Sequence, residues 1–152
     1  MFQCTFKLND QPMSALNLGA SSFPAFSGLG ANVNKKVAAC LKGIGPIPPG
    51  SYYIFDRESG GLLGSFRDLF TGRSDWFALY AANGQIDDET FCDSVKRGNF
   101  RLHAKGALGR SEGCVVIDKT ADFLLLRAML KGVQPVAIPG AKLNAYGMLV
   151  VS

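Results

Sequence analysis

Alternation of hydrophobic and polar positions is the clearest pattern along the chain. From Phe2 to Leu8 every second residue is apolar or cysteine, and the residues between them are polar. This period of two is typical of a strand with one buried face. Cys4 lies on the apolar side, so we expect it to be a core residue. Similar reasoning predicts further strands over residues 14–18, 51–55, 76–80, 100–103, 114–117 and 148–151.

Other segments depart from alternation. Residues 121–131 carry a wide apolar face that predicts a helix, with Gly132 as its stop. Two stretches rich in Gly, Pro and small residues, 19–34 and 43–50, are predicted as loops that wall a cleft. The acidic stretch 85–90 is predicted as a solvated turn, because it lacks the glycine and ligand spacing of a calcium loop. Together the elements predict a mainly β (β-rich α+β) fold, with residues 1–152 as a single domain.

Composition and charge narrow the functional classes. The 152 residues are 47% hydrophobic, enough for a packed core. The net charge of +4 is spread along the chain without a run of basic and aromatic residues, so we expect no nucleic acid partner. No apolar run approaches the ~20 residues that span a bilayer, so we expect no membrane insertion. The amino terminus lacks the features of a Sec signal peptide. We therefore expect a chain made in the cytoplasm, which needs another export route to act outside it.

The chain has four cysteines and one histidine, without a CxxC pair. That set predicts neither a structural zinc site nor any other metal or cofactor. Whether Cys4, Cys40 and Cys92 form a disulfide bond stays an open question, because sequence alone does not determine their connectivity.

Cys114 and His103 are the candidate catalytic pair. A thiol attacks a carbonyl as thiolate and needs a base, and His103 is the single imidazole of the chain. His103 ends one predicted strand and Cys114 begins the next, with a glycine-rich loop between them. Ser111 and Gly113 are expected to shape the turn before the cysteine, where backbone amides can bind an oxyanion.

The stretch R-L-H-(x)7-S-x-G-C-V-V-I resembles the signature of the L,D-transpeptidases. FPAFSG, GPIPPGSYYI, WFALY and RGNFRLH are similar to one branch, the type VI secretion L,D-transpeptidase effectors. The similarity extends over about residues 23–126. It implies an L,D-transpeptidase-like β-sandwich or barrel, with one substantial helix after the strand that Cys114 opens.

The resemblance also implies a function. Cys114 matches the family nucleophile, His103 its base, and Ser111 and Gly113 the positions of the nucleophile turn. The implied activity is L,D-transpeptidase or L,D-carboxypeptidase action on peptidoglycan stem peptides, through a thioacyl-enzyme and without a cofactor. An antibacterial effector of this kind implies a type VI delivery component, a cognate immunity protein and action in the periplasm of target bacteria.

Three positions depart from the common family pattern. Ala104 stands where glycine is common, Glu112 where histidine is common, and Val116 where an arginine is common. That arginine is expected to bind a substrate carboxylate. The candidates to replace it are Arg101, Lys105 and Arg110.

Three alternatives stay open from the sequence. A papain-like peptidase is disfavoured, because such enzymes place the cysteine before the histidine and on a helix. A non-enzymatic cell-wall- or carbohydrate-binding β-module would carry Cys114 as a buried, inert residue. The third alternative is an inactive homologue, because Val116 stands where an arginine is common in the family.

Overall fold

Eight strands form a closed barrel in the computed structural model, which describes residues 1–56, 75–106 and 113–152. The strands of the described residues are β1 (Phe2–Phe6), β2 (Ser14–Leu18), β3 (Ser21–Phe26), β4 (Gly50–Asp56), β5 (Phe77–Ala81), β6 (Glu89–Cys92), β7 (Val95–Gly98), β8 (Arg101–Ala104), β9 (Val115–Ile117), β10 (Val136–Ala137), β11 (Asn144–Ala145) and β12 (Gly147–Val151). Helix α1 (Thr120–Lys131) follows β9, and short 3₁₀ turns occupy Gly30–Asn32 and Lys36–Ala38. The prediction of a β-rich fold with a substantial helix after the Cys114 strand is confirmed.

The barrel order is β1-β12-β4-β5-β8-β9-β3-β2, and β2 closes on β1. Neighbouring strands run antiparallel except in two pairs, β1 with β12 and β8 with β9. Closure leaves the barrel without edge strands, which removes the unpaired backbone groups of an open sheet. The parallel β8–β9 pair matters for function, because it joins the strand of His103 to the strand that follows Cys114.

The barrel interior and one face of α1 form the main core. Inward residues of the strands alternate with outward ones, as in Phe6, Leu102 and Leu149, all fully buried. Phe123 and Leu126 of α1 join the same core cluster. Burying such a side chain contributes about 1.5–3 kcal/mol. The core thus fixes which face of β8 and β9 points outwards.

One loop prediction is wrong. Residues 21–26 of the stretch predicted as a surface loop form β3, which lies between β2 and β9. Phe23 and Ala25 point into the core, so the period of two was present but was masked by the serines and the proline. The Pro24 carbonyl accepts from Asp118, just past the end of β9. Proline has no backbone N–H to donate. At Pro24 the missing N–H would face β9, at the point where the hydrogen-bond ladder between β3 and β9 ends.

A disulfide joins Cys40 to Cys92, a pairing that the sequence left open. Cys40 follows the second 3₁₀ turn, and Cys92 ends β6 in the hairpin of β6 and β7. Cys4 and Cys114 carry thiols. The prediction that Cys4 is a core residue is confirmed, because its side chain is fully buried inside the barrel.

Across the described ranges, no helix combines the length and apolar character that a membrane crossing requires.

Candidate active site

The outer face of the β8–β9 pair carries the candidate site. Leu102 pairs with Val115 and both point into the core, so the alternate residues Arg101 and His103 point outwards. His103 pairs with Val116, and one step back along the register Cys114 lies beside Arg101. With strands ~4.8 Å apart and a rise of ~3.3 Å per residue, the α-carbons of Cys114 and His103 are ~8 Å apart. The structure thus brings these two predicted residues to diagonal positions on one face.

The His103 ring is fixed by a hydrogen bond. Nδ1 lies 2.7 Å from the carbonyl oxygen of Ala104. A carbonyl oxygen only accepts, so Nδ1 carries a proton and donates it. The lone pair of the neutral imidazole is then on Nε2, the nitrogen that can act as a base. With only 5% of His103 exposed, the ring has little room to turn over.

An aromatic stack covers the same ring. Trp76 lies against His103 with ring centroids 3.8 Å apart and planes inclined by 12°. Trp76 directly precedes β5, and the Phe77–Leu102 register places it opposite His103. The stack was not foreseen from the sequence, because register between strands 27 positions apart is a tertiary property.

Cys114 is partly exposed and lies within electrostatic range of Arg101. Burial lowers the pKa of Arg101, but the hydrogen bond and charge of Asp88, together with Tyr80 and Cys114, outweigh it and raise the pKa overall. Arg101 is therefore a permanent cation next to the thiol. A neighbouring cation stabilises a thiolate relative to a thiol.

Arg101 is held by a two-pronged ion pair. Its Nη atoms lie 2.8 and 2.7 Å from the two carboxylate oxygens of Asp88, and Nη1 also donates to the Phe100 carbonyl at 2.8 Å. Asp88 belongs to the stretch predicted as a solvated turn, and for this residue the prediction is wrong. Its side chain is 25% exposed and is held by the guanidinium. The proposed role of Arg101 in binding a substrate carboxylate stays a prediction. Some of its N–H donors already bind Asp88 and the Phe100 carbonyl.

Gly113 provides the turn before Cys114. Its φ is +101°, a conformation that side-chain-bearing residues rarely adopt. A Cβ at this position would lie 2.7 Å from a guanidinium nitrogen of Arg97 and 2.9 Å from the Phe100 ring. Both the backbone conformation and the packing therefore require glycine here, which fits its predicted place in the nucleophile turn.

Arg97 anchors that turn to the loop before β4. The side chain is 3% exposed, and it donates to the carbonyls of Ala39, Gly45 (3.1 Å) and Pro46 (3.3 Å). Burial lowers the pKa of Arg97, with a smaller opposing contribution from Tyr52. Sequence reasoning missed this residue, although it stands within the RGNFRLH stretch that carries the family resemblance.

Of the remaining predicted site residues, Lys105 is described, and it is not brought to Cys114. Lys105 directly follows β8. It is four positions beyond Arg101, or ~13 Å at the rise of an extended chain. Its ammonium pairs with Asp118 at 3.5 Å. Its proposed substrate role stays a prediction. Arg110 and Ser111 lie outside the described residues, so their predicted roles stay predictions as well.

Within residues 1–56, 75–106 and 113–152, no group of three or more His, Cys, Asp or Glu side chains is arranged to hold a metal ion. A groove of about 630 Å³ lies on the outside of β4 and β5, lined by residues 82, 84–87 and 138–140 together with Tyr53. The two loops that were predicted to wall a cleft do not line it.

The structure defines a class of domain: a small closed β-barrel with an imidazole on one strand and a thiol directly before the neighbouring parallel strand. The family model described as the Tlde1 domain matches residues 21–141, and the chain belongs to this family. The family is that of the type VI secretion L,D-transpeptidase effectors, toxins that target peptidoglycan. Neither the curated proteins nor the solved structures contain a match to the chain.

Proposed function

We propose that this domain is a peptidoglycan L,D-transpeptidase and L,D-carboxypeptidase that works through a thioacyl-enzyme on Cys114. The proposal rests chiefly on the β8–β9 register, which sets the thiol diagonally across from the imidazole. The bond from Nδ1 of His103 to the Ala104 carbonyl supports it, because it leaves Nε2 to take the thiol proton. Family membership supplies the substrate class.

The first half-reaction transfers the stem peptide to the enzyme. The Cys114 proton moves to Nε2 of His103, and the thiolate attacks the carbonyl of the third residue of a tetrapeptide stem. The oxyanion of the tetrahedral intermediate is stabilised by backbone amides near Gly113 and Cys114. One such donor is typically worth about 2.7–4 kcal/mol in the barrier. Nε2 returns the proton to the amine of the leaving D-alanine, and a thioester remains on Cys114.

The second half-reaction releases the acyl group to an acceptor. Water gives L,D-carboxypeptidase action, a D-amino acid gives exchange, and the amine of another stem gives a crosslink. We put hydrolysis or exchange first, because both leave the target wall short of crosslinking donors. Neutral Nε2 acts as base toward the acceptor, and its proton then returns to the thiolate.

The proposal extends to the biological setting. The chain acts in the periplasm of target bacteria after delivery by a type VI secretion component, and the producing cell holds a cognate immunity protein. The +4 net charge suits attraction to an anionic wall polymer.

The decisive experiment is incubation with purified tetrapeptide muropeptides, read by mass spectrometry, with and without a D-amino acid. The wild type is expected to remove or exchange the terminal D-alanine. Cys114→Ala is expected to lower the rate by roughly 10³-fold or more, whereas Cys4→Ala, which also removes one thiol, is expected to retain it. Equal product from wild type and Cys114→Ala, or no product from either, would overturn the proposal and favour the binding module.

A further inference from the structure

We infer that Trp76 is a positioning residue for His103, which fixes the plane of the imidazole and stabilises its charged form beside Cys114. This rests on the proposed function, since it assigns Trp76 a part in the thiol–imidazole chemistry. It goes beyond that function by giving a role to Trp76, which stands in the WFALY stretch and which the proposed mechanism does not require.

The geometry is that of a close, nearly parallel stack. The ring centroids are 3.8 Å apart, below the 4.5–7 Å usual for aromatic pairs. The register makes the contact a consequence of the sheet, because Phe77 pairs with Leu102 and so sets Trp76 across from His103. The indole and the Ala104 carbonyl therefore constrain the imidazole in two ways. The stack fixes the ring plane, and the hydrogen bond fixes the rotation that directs Nε2.

The stack also acts on the charge that the mechanism creates. When the Cys114 proton moves to Nε2, His103 becomes an imidazolium, with its second proton still held by the Ala104 carbonyl. The face of an indole attracts a cation, and tryptophan is the strongest aromatic partner. Trp76 therefore stabilises the thiolate–imidazolium state relative to the neutral pair, and the thiolate is the form that attacks.

Within the part of the chain that the structure describes, the other charged or titratable groups around the ring belong to residues that a Trp76 variant leaves unaltered. On the strand pair these are Cys114 and Arg101, the latter paired with Asp88. On α1, Arg127 donates to the backbone carbonyl of Asp75, next to the indole. Lys105 and Asp118 pair at the far end of β8 and β9. A comparison of Trp76 variants therefore isolates the contribution of the aromatic ring.

The chain itself supplies the probe, because it contains one histidine and one tryptophan. The C–H proton signals of a single imidazole are assigned without ambiguity, and their pH titration gives the pKa of His103. The variants are Trp76→Phe, which keeps an aromatic face, and Trp76→Leu, which keeps apolar cover without one. We expect the pKa of His103 to be lower in Trp76→Leu than in Trp76→Phe by about 0.4–1.5 pH units. The imidazole signals should also lose their aromatic ring-current shift in Trp76→Leu.

Activity gives the second readout. Trp76→Leu is expected to lower kcat about tenfold with little change in KM, and Trp76→Phe to restore most of it. Equal pKa values for His103 in wild type, Trp76→Phe and Trp76→Leu would overturn the inference. If the wild type turned over no muropeptide, the proposed function would fall, whereas the titration would still report whether the indole stabilises the imidazolium.

A measurement on the unaltered chain guards against variants that fail to fold. Protonated imidazole quenches a stacked indole. The fluorescence of Trp76 should therefore fall as the pH is lowered, and the midpoint of that change should equal the pKa of His103. His103→Gln should remove that transition. A pH-independent emission in the wild type would contradict the stack.

Discussion

The surroundings of Cys4 and Cys114 differ sharply, although both carry thiols in one small barrel. Cys4 points inwards from β1 and is fully buried, and burial raises the pKa of its thiol to about 12. Cys114 is partly exposed on the outer face, beside the guanidinium of Arg101 and diagonal to His103. The side of the sheet on which a cysteine lies therefore decides whether its side chain packs in the core or is a reactive group.

This contrast predicts a large difference in alkylation rate. At pH 7 a thiol with a pKa of about 12 is ~10⁻⁵ ionised, whereas an ordinary thiol is ~3% ionised. Iodoacetamide should therefore modify Cys114 at least ~10³-fold faster than Cys4, as peptide mass mapping of the native protein would measure. Comparable rates at the two positions, without unfolding, would break the comparison.

The turn before Cys114 offers a smaller, structural test. Gly113→Ala adds a Cβ that meets Arg97 and Phe100 at positive φ. Gly84→Ala is the matched control, with φ +93° and nothing within 4 Å of the new atom. We expect each to lose about 1–3 kcal/mol to backbone strain and Gly113→Ala about 1–3 kcal/mol more to overpacking.

Urea unfolding of the two glycine variants measures that difference directly. Alkylation of Cys114 in the folded Gly113→Ala protein should change, while that of Cys4 should not. Equal unfolding free energies for the two variants would show that the turn is looser than its contacts indicate.

The smallest expected effect comes from the cation beside the thiol. Arg101→Met removes the charge that stabilises the Cys114 thiolate, so the alkylation of Cys114 at pH 7 should slow by up to about tenfold. Asp88 already neutralises part of that charge, which limits the effect. Lys105→Met, at the other end of β8, should leave the rate unchanged. An equal slowing in both variants would indicate a general effect of net charge instead.

Much of the fold follows from local alternation. The strands that became β1, β2, β4, β5, β8, β9 and β12 were predicted within one or two residues of their bounds, as was α1. Strand β3 was missed because serine and proline favour turns, and because one of its two partner strands, β9, is distant in sequence. Hairpin β6–β7 was missed because its acidic approach indicated a solvated turn.

The candidate site, like the fold, could be predicted only in part from the sequence. Cys114, His103 and Gly113 were predicted as site residues because their types and spacing follow a known chemical pattern. Arg97, Asp88 and Trp76 were not, because each reaches the site through a tertiary contact between separate segments of the chain. Charge or aromaticity alone does not distinguish such residues from ordinary surface or core positions.

The Cys40–Cys92 disulfide makes the stability of this chain depend on its chemical surroundings. It joins residues 52 positions apart, and the chain-entropy model gives a loop of that size about 4 kcal/mol. Small domains have net stabilities of about 5–15 kcal/mol, so reduction of this disulfide would remove a large share of the stability. An oxidised sample and a reduced sample of this polypeptide should therefore differ in melting temperature and in resistance to proteases.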